Sequence, residues 1–355
     1  MPAPAGPPVA VDAHGADGGP EVVAEGAGLA AADGIAVRLF GPGSLAAPRG
    51  VELVASEQWI GNEAEPVAAV RSTPEASVVR AADDVAGGRS AALVSAGSTG
   101  AAMTAALFSL KRLRGVHRPA LAAQIPLPTS SRRRARSGGG GDVTLLLDCG
   151  ANTEVRPQHL IQFGFLGAAF SEAALGAERP RVALLSVGEE QKKGRPDVVE
   201  AHAALRAADG LDFVGNVEGR DLLSGAADVV VTDGFTGNVA LKTLEGTARA
   251  VAEAVRGAAR SGPLAAAGGL LLRPALGGLR RQMDPNAVGG AILLGLRGVA
   301  VVAHGSSTPE GIANAIRLAD RAARERAVER TEQSLRASGV TREALRAAET
   351  PSGGG

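Results

Sequence analysis
The residues in this chain with chemical potential form no cluster of strong nucleophiles or metal ligands. They lie in short, polar, glycine-rich stretches, each following an apolar run. The organising one is Asp233-Gly234-Phe235-Thr236-Gly237-Asn238, which follows Val229–Val231 and precedes a helical pattern. Such a loop turns backbone N–H groups and a helix N-terminus towards an anion, most naturally phosphate. Similar stretches are Ser95-Ala-Gly97-Ser98-Thr99-Gly100, Asp148-Cys-Gly-Ala-Asn152, Gly188-Glu189-Glu-Gln-Lys-Lys193-Gly194, Gly215-Asn216-Val-Glu-Gly-Arg220-Asp221 and His304-Gly-Ser-Ser307. Lys193, Arg220, Lys242 and His304 are the positive groups available to them. The chain has no H-E-x-x-H, C-x-x-C, G-x-S-x-G or G-x-x-x-x-G-K-[ST] pattern, which argues against a zinc site, a serine acyl-enzyme and an ATP-type P-loop. The residues that remain suit binding of a phosphate-like oxyanion without covalent catalysis.

The elements that must position these stretches alternate strand, polar loop and helix. Strands are expected near Val9, at Ile35–Phe40, Ala91–Val94, Val143–Asp148, Arg181–Val187, Leu211–Val214, Val229–Val231 and Gly298–Ala303. Helices are expected over Glu21–Ala32, Ser72–Ala86, Ala101–Leu110, Pro157–Leu175, from Asn238 onward and from Pro309. In the Asn238 helix Leu241, Leu244, Ala248, Val251 and Val255 recur at three- and four-residue steps, as one amphipathic face. This alternation predicts an α/β fold with a mainly parallel sheet, whose strand C-terminal loops share one rim where ligands bind. The Arg-rich stretch Ser131–Gly141 reads as a mobile surface loop, and the tail from Arg321 as a solvated helix ending in disorder. Gly41-Pro-Gly-Ser-Leu-Ala46 matches the loose dinucleotide pattern, but a proline interrupts it and no clear ribose-binding acid follows.

Composition limits the function classes. The 355-residue chain has zero formal net charge, 2% aromatics and no tyrosine, so it offers neither the field nor the stacking surface expected of a nucleic-acid binder. The single cysteine, Cys149, rules out an intrachain disulfide and reads as a core filler. Residues 1–8 read as a flexible leader rather than a signal peptide, and no apolar run is long enough to span a bilayer. The Pro263–Arg281 stretch is apolar and basic, with Leu272, Leu276 and Leu279 on one helical face beside Arg273, Arg280 and Arg281. It reads as a helical hairpin facing a membrane surface, a second subunit or its own core. Lys111, Arg112, Arg114 and Arg118 form a basic cluster, either a solvated helix end or a docking patch for an acidic partner.

Taken together, the motifs resemble the bacterial phosphate acyltransferase family (PlsX). They are Ser95–Ala101, Leu147–Asn152, Gly188–Glu190 with Lys193-Gly194, Phe213–Asp221, Asp228–Asn238, Gly289–Ala291 and Ala303–Ser307, in the family's order between Val9 and Ala319. The resemblance implies formation of acyl phosphate from acyl–acyl carrier protein and inorganic phosphate, with no cofactor or metal, feeding phospholipid synthesis and a downstream glycerol-3-phosphate acyltransferase. It implies a three-layer α/β/α sandwich similar to phosphate acetyltransferase and isocitrate/isopropylmalate dehydrogenase-like folds, spanning 9–320. A helical hairpin at 256–284 would protrude from it. It also implies a homodimer and a cytoplasmic protein held peripherally on the inner face of the cell membrane through 263–281. By charge logic Lys111–Arg118 would suit the acidic carrier protein.

On this resemblance Lys193 balances the phosphate or oxyanion charge, Asn238 donates a hydrogen bond to the same centre, and His304 assists the leaving group; read from the residues alone they also fit a surface lysine, a helix N-cap and a structural histidine. Ser95, Gly97, Ser98, Thr99, Gly100, Asp148, Asn152, Glu189, Asn216, Asp233, Gly234, Phe235, Thr236 and Gly237 line the substrate site. Glu189 and Glu190 are expected either to hold Lys193 or to be solvated. The chain departs from the family at Asp12-Ala-His-Gly-Ala-Asp17, where Asp-Ala-Met-Gly-Gly-Asp is usual, at Ser98 in place of Asn, and at Val288 in place of Tyr. Competing readings are a short-chain phosphotransacetylase, a decarboxylating dehydrogenase, or a non-catalytic membrane scaffold for lipid synthesis.

Overall fold
A computed structural model describes residues 6–137, 142–268, 270–272, 287–343 and 345. Short β-branched and Leu/Ala-rich runs pair into one sheet. Six strands of the first half and the chain's end are β1 (Val9–Asp12), β2 (Val37–Gly41), β3 (Val51–Ala55), β4 (Ala92–Ser95), β10 (Ala291–Leu294) and β11 (Val299–Val302). The middle of the chain supplies β5 (Ala120–Pro126), β6 (Val143–Leu147), β7 (Arg181–Leu185), β8 (Asp212–Val217) and β9 (Val229–Val231). Their order across the sheet is β3-β2-β1-β4-β11-β10-β5-β6-β9-β7-β8.

The expected α/β class is what the molecule shows, but the single rim is not. Strands β3, β2, β1, β4 and β11 are mutually parallel, as are β6, β9, β7 and β8. Between them β10 is antiparallel to both β11 and β5, and β5 is antiparallel to β6. Three reversals leave the two parallel halves running in opposite directions. Each half therefore has its own rim of strand C-terminal loops.

Helices cover both faces. On one side a continuous core joins α1 (Gly19–Ala32), α6 (Pro157–Ala174), α7 (Pro196–Ala207) and the Pro309–Arg324 helix. On the other, α3 (Ser77–Ala86) and α4 (Thr99–Leu110) pack under the first half, while α8 (Gly234–Ala259) packs under the second. These form two separate clusters, with Ala291 touching both. α6 is buried nearly all round, and Phe163, Phe165, Leu166 and Phe170 supply much of its bulk.

Several expectations change. The helix expected from Ser72 begins only at Ser77 (α3), and a separate helix, α2 (Pro66–Ser72), ends where it was to start, with Pro74 in the break between them. The Arg-rich stretch is helical over Thr129–Ser137 (α5) and buries Ala135, so its first part is not a loop. The tail is not merely solvated: Ala327–Ala337 is a second helix that buries Ala327, Thr331 and Leu335 beside α6. α8 begins at Gly234, four residues earlier than expected. Leu241 and Leu244 on its predicted apolar face do pack inward, whereas Val251 and Val255 are exposed. Of the expected hairpin, Leu264 and Leu270–Leu272 are described and exposed; Leu276, Leu279, Arg273, Arg280 and Arg281 lie outside the described residues.

His159 in the first turn of α6 accepts the Arg156 N–H on Nδ1 at 3.2 Å, which needs a neutral ring. Burial, reinforced by Arg118, His117 and Arg156, holds its pKa down at about 4. Between the unfolded value near 6.5 and about 4 the unfolded chain binds the extra proton, so this group's contribution to stability falls as pH falls through that window. Urea unfolding of wild type and His159→Gln across those pH values should show a flatter stability profile for the variant.

Candidate functional site
The rim of the first half is built on a buried carboxylate. Asp12, at the end of β1, accepts hydrogen bonds from Ser77 Oγ (2.6 Å), Ser95 Oγ (2.8 Å) and the His14 N–H (3.1 Å). Burial pushes its pKa above the ordinary carboxylate value, against the lowering effect of those hydrogen bonds. Ser95 Oγ in turn accepts the Gly97 N–H at 3.2 Å, and Ser98 caps α4. The His14 ring stacks on Trp59 and contacts the Ser56 carbonyl at 3.1 Å. Ser95 is thus a buried fastener, while Thr99 beside it is exposed. Asp12, Ser77 and Trp59 were not among the expected site residues. Asp12 lies 65 positions from Ser77 and 83 from Ser95, and no local spacing marks these residues as partners.

The second rim has the same logic. Asp148 is fully buried, and its two oxygens accept from the N–H groups of Leu121, Gly150, Ala151 and Asn152 and from Asn152 Nδ2. Asn152 also donates to the Pro119 carbonyl, and its own carbonyl accepts the Gly234 N–H at 2.7 Å. Asp233 caps α8 through Thr236 N (2.9 Å) and Thr236 Oγ1 (2.7 Å). Gly237 presses so closely on Asp148 that a Cβ would overlap the Asp148 carbonyl oxygen. Phe235 and Asn238, on the same first turn, remain exposed.

Strand β7 lies beside β9, so the Gly188–Gly194 loop neighbours the α8 N-terminus. Arg195, which the sequence reading passed over, joins the two by an ion pair from Nη1 to Asp233 at 3.0 Å. The loop is held from beneath: the Glu190 carbonyl accepts Lys193 N and Asn216 Nδ2, and Asn216 Oδ1 meets buried His202 Nδ1 at 2.9 Å. Asn216 is therefore a support for the loop. Neither glutamate holds Lys193. Glu189 pairs weakly with Arg220 at 3.4 Å, and the Lys193 ammonium has no polar partner among the described residues. An exposed, unpaired ammonium thus stands on the loop that Arg195 ties to the Asp233-capped start of α8.

The two rims meet at His304. Its Nδ1 accepts the Ser306 N–H at 3.2 Å, and Lys242 Nζ of α8, which donates to Glu245 at 2.9 Å, lies 3.4 Å from its Nε2. Gly289 and Gly290, at positive φ of 84° and 100°, press against the backbone of Asn314 and of Val302–Ala303 beside it. Cys149 is the core filler expected: burial pushes its thiol up to about 12, which removes it as a nucleophile at neutral pH.

A family model described as "Fatty acid synthesis protein" matches residues 8–330. Phosphate acyltransferase of Anoxybacillus flavithermus (strain DSM 21510 / WK1) is 44% identical over 318 residues, covering 88% of this chain and 93% of that relative. Phosphate acyltransferase of Lactococcus lactis subsp. cremoris (strain SK11) is 41% identical over 317 residues, covering 87% and 92%. The chain belongs to the phosphate acyltransferase family. Among solved structures, a phosphotransacetylase from Streptococcus pyogenes superposes with a TM-score of 0.58 at 16% identity, covering 90% of this chain and 94% of that one. That likeness establishes the shared fold.

Within a phosphate acyltransferase of this geometry, the Gly237–Asp148 contact fixes where α8 starts. Gly237→Ala should force the two backbones apart, costing about 1–3 kcal/mol. A lowered urea midpoint together with lost turnover is the expected result; a variant with wild-type stability would show that the contact does not constrain the site.

Proposed function
We propose that this protein forms acyl phosphate from an acyl thioester carried on acyl carrier protein and inorganic phosphate, early in phospholipid synthesis. The observation that carries the proposal is the unpaired Lys193 ammonium beside the α8 N-terminus, on loops joined by Arg195 and Asp233. Phosphate binds there through the cation and the positive end of the helix. A phosphate oxygen attacks the thioester carbonyl carbon, and the carbonyl π electrons move to oxygen. The tetrahedral oxyanion then collapses, breaking the C–S bond and releasing the thiolate. Lys193 offsets the charge of the phosphate or the oxyanion, and exposed Asn238 donates to the same centre. His304, at the meeting of the two rims, assists the departing sulfur by hydrogen bonding to it.

Exposed Phe235 and Val239 share one face of α8, four residues apart, and offer an apolar footing for an acyl chain. No helix among the described residues is long and apolar enough to cross a membrane. Exposed Leu264, Leu270, Leu271 and Leu272 instead suit peripheral attachment to a lipid surface, in a cytoplasmic homodimer.

Lys193→Ala should lower phosphate-dependent release of free carrier protein from long-chain acyl–carrier protein by about 100-fold or more while the chain stays folded. No release by wild type with any chain length would remove the carrier-protein reading; release only from short acyl-coenzyme A would favour a phosphotransacetylase. Separately, Leu270→Glu with Leu271→Glu should abolish cosedimentation with anionic phospholipid vesicles and spare turnover in detergent-free solution. Unchanged sedimentation would remove this segment from the lipid contact.

A further inference from the structure
A second cationic site lies away from these rims. An open cleft of about 590 Å³ is lined by Lys111, Arg112, Arg114, Arg297, Arg336 and Arg342, with Glu343 as its one carboxylate. Lys111 follows the C-terminus of α4, and Arg297 precedes β11, so the cleft sits at the far ends of elements whose other ends carry Ser98 and His304. The twelve-residue α4 alone separates it from Ser98 by about 18 Å.

The cleft is built rather than incidental. Its floor is tied by Arg297 N to the Lys111 carbonyl (3.0 Å), Leu113 N to the Gly295 carbonyl (2.9 Å) and Arg342 N to the Gly115 carbonyl (2.6 Å). Two of the guanidinium groups are anchored on backbone carbonyls: Arg297 Nε on Arg112 (3.1 Å), and Arg112 on His117. Each keeps N–H donors to spare. Only Arg336 has a carboxylate partner, Glu332; the other five cations have none among the described residues. The whole chain balances 37 basic against 37 acidic side chains, so this local excess is a departure from its general pattern of interspersed charge. Mutually repelling cations held in one concavity favour whatever anion neutralises several of them at once.

We propose that this cleft binds a small linear polyphosphate, the phosphate chain of a nucleoside di- or triphosphate being the form that fits. The volume lies within the range of small-molecule sites. A concave cleft ringed by guanidinium groups matches clustered phosphate oxygens more closely than it matches the convex face of an acidic protein. Two of the six cations, Arg336 and Arg342, lie beyond residue 330, where the family match ends. The site is thus partly a property of this chain's C-terminal helix and its extension.

Titration calorimetry and thermal melts of the full-length chain with inorganic triphosphate, with orthophosphate in parallel, provide the test. Lys111 and Arg114 are exposed and have no side-chain partner among the described residues, so K111E/R114E should fold as wild type does, judged by its unliganded melt. Wild type should bind one triphosphate per chain and melt higher with it. K111E/R114E should bind triphosphate at least tenfold more weakly, and Arg342→Gln should weaken binding to a lesser degree. Lys193→Ala should bind triphosphate as wild type does, which separates this cleft from the phosphate rim. Equal affinity for adenosine triphosphate and triphosphate would assign recognition to the phosphate chain alone; tighter nucleotide binding would add a base contact. Absent binding, binding unaffected by K111E/R114E, or binding lost in Lys193→Ala would overturn the proposal. So would carrier-protein binding that K111E/R114E abolishes and triphosphate does not compete, which would give the surface to the acidic protein.

Discussion
Hydrogen bonding between β5 and its two antiparallel neighbours is the constraint on which the rest of the molecule depends. Parallel strands need long crossovers, and each crossover places a helix over the sheet. A sheet of one direction would carry all its ligand loops along one edge. Here β10 and β5 reverse the direction midway, so each parallel half keeps its own helices and its own rim. The core records the division: one face is a continuous apolar layer, and the other is split into two clusters that share Ala291. α8 belongs to the second half yet reaches the loop after β11, where Lys242 approaches His304.

Both rims use the same fastening device, a buried carboxylate whose oxygens are filled by N–H and O–H donors from distant segments. Asp12 gathers Ser77, Ser95 and His14; Asp148 gathers β5 and its own following loop; Asp233 gathers Arg195 and the first turn of α8. Elsewhere Asp84 does the same with Arg38, Arg89 and Ser90, and Asp228 with Arg181. Leaving such a group unpaired costs about 1–3 kcal/mol or more, so each fastener strongly favours one loop arrangement. Groups the fasteners do not use stay open to solvent: Lys193 on its loop and Asn238 in the first turns of α8 remain exposed on segments that buried groups hold still. This division explains why Asp148 and Asn216, though adjacent to the site in sequence motifs, serve as supports.

The alternation of apolar runs with glycine-rich loops was enough to place eight of the strands, most helices and the α/β class, because buried parallel strands must be apolar along their whole length. It was also enough to single out the loops at Ser95, Asp148, Gly188 and Asp233. Three strands escaped notice. β3 carries Glu52, and β5 and β10 are alanine- and leucine-rich runs that lack the β-branched pattern of a buried strand. Missing β5 and β10 meant missing the reversal, and with it the second rim. Asp12, Ser77 and Trp59 escaped for a different reason, since their relation to Ser95 spans tens of residues.

By itself the sequence determined which segments are strand, loop and helix, and which loops are fit to hold an oxyanion, because backbone preference, hydrophobic period and side-chain chemistry are local properties. Tertiary structure alone decided which loops face each other and which polar residues are consumed as fasteners. It also decided that the cations of four separate segments share one cleft. Those outcomes follow from strand direction, sheet twist and burial, and these are settled only when segments distant in the chain compete for the same hydrogen bonds and the same apolar contacts.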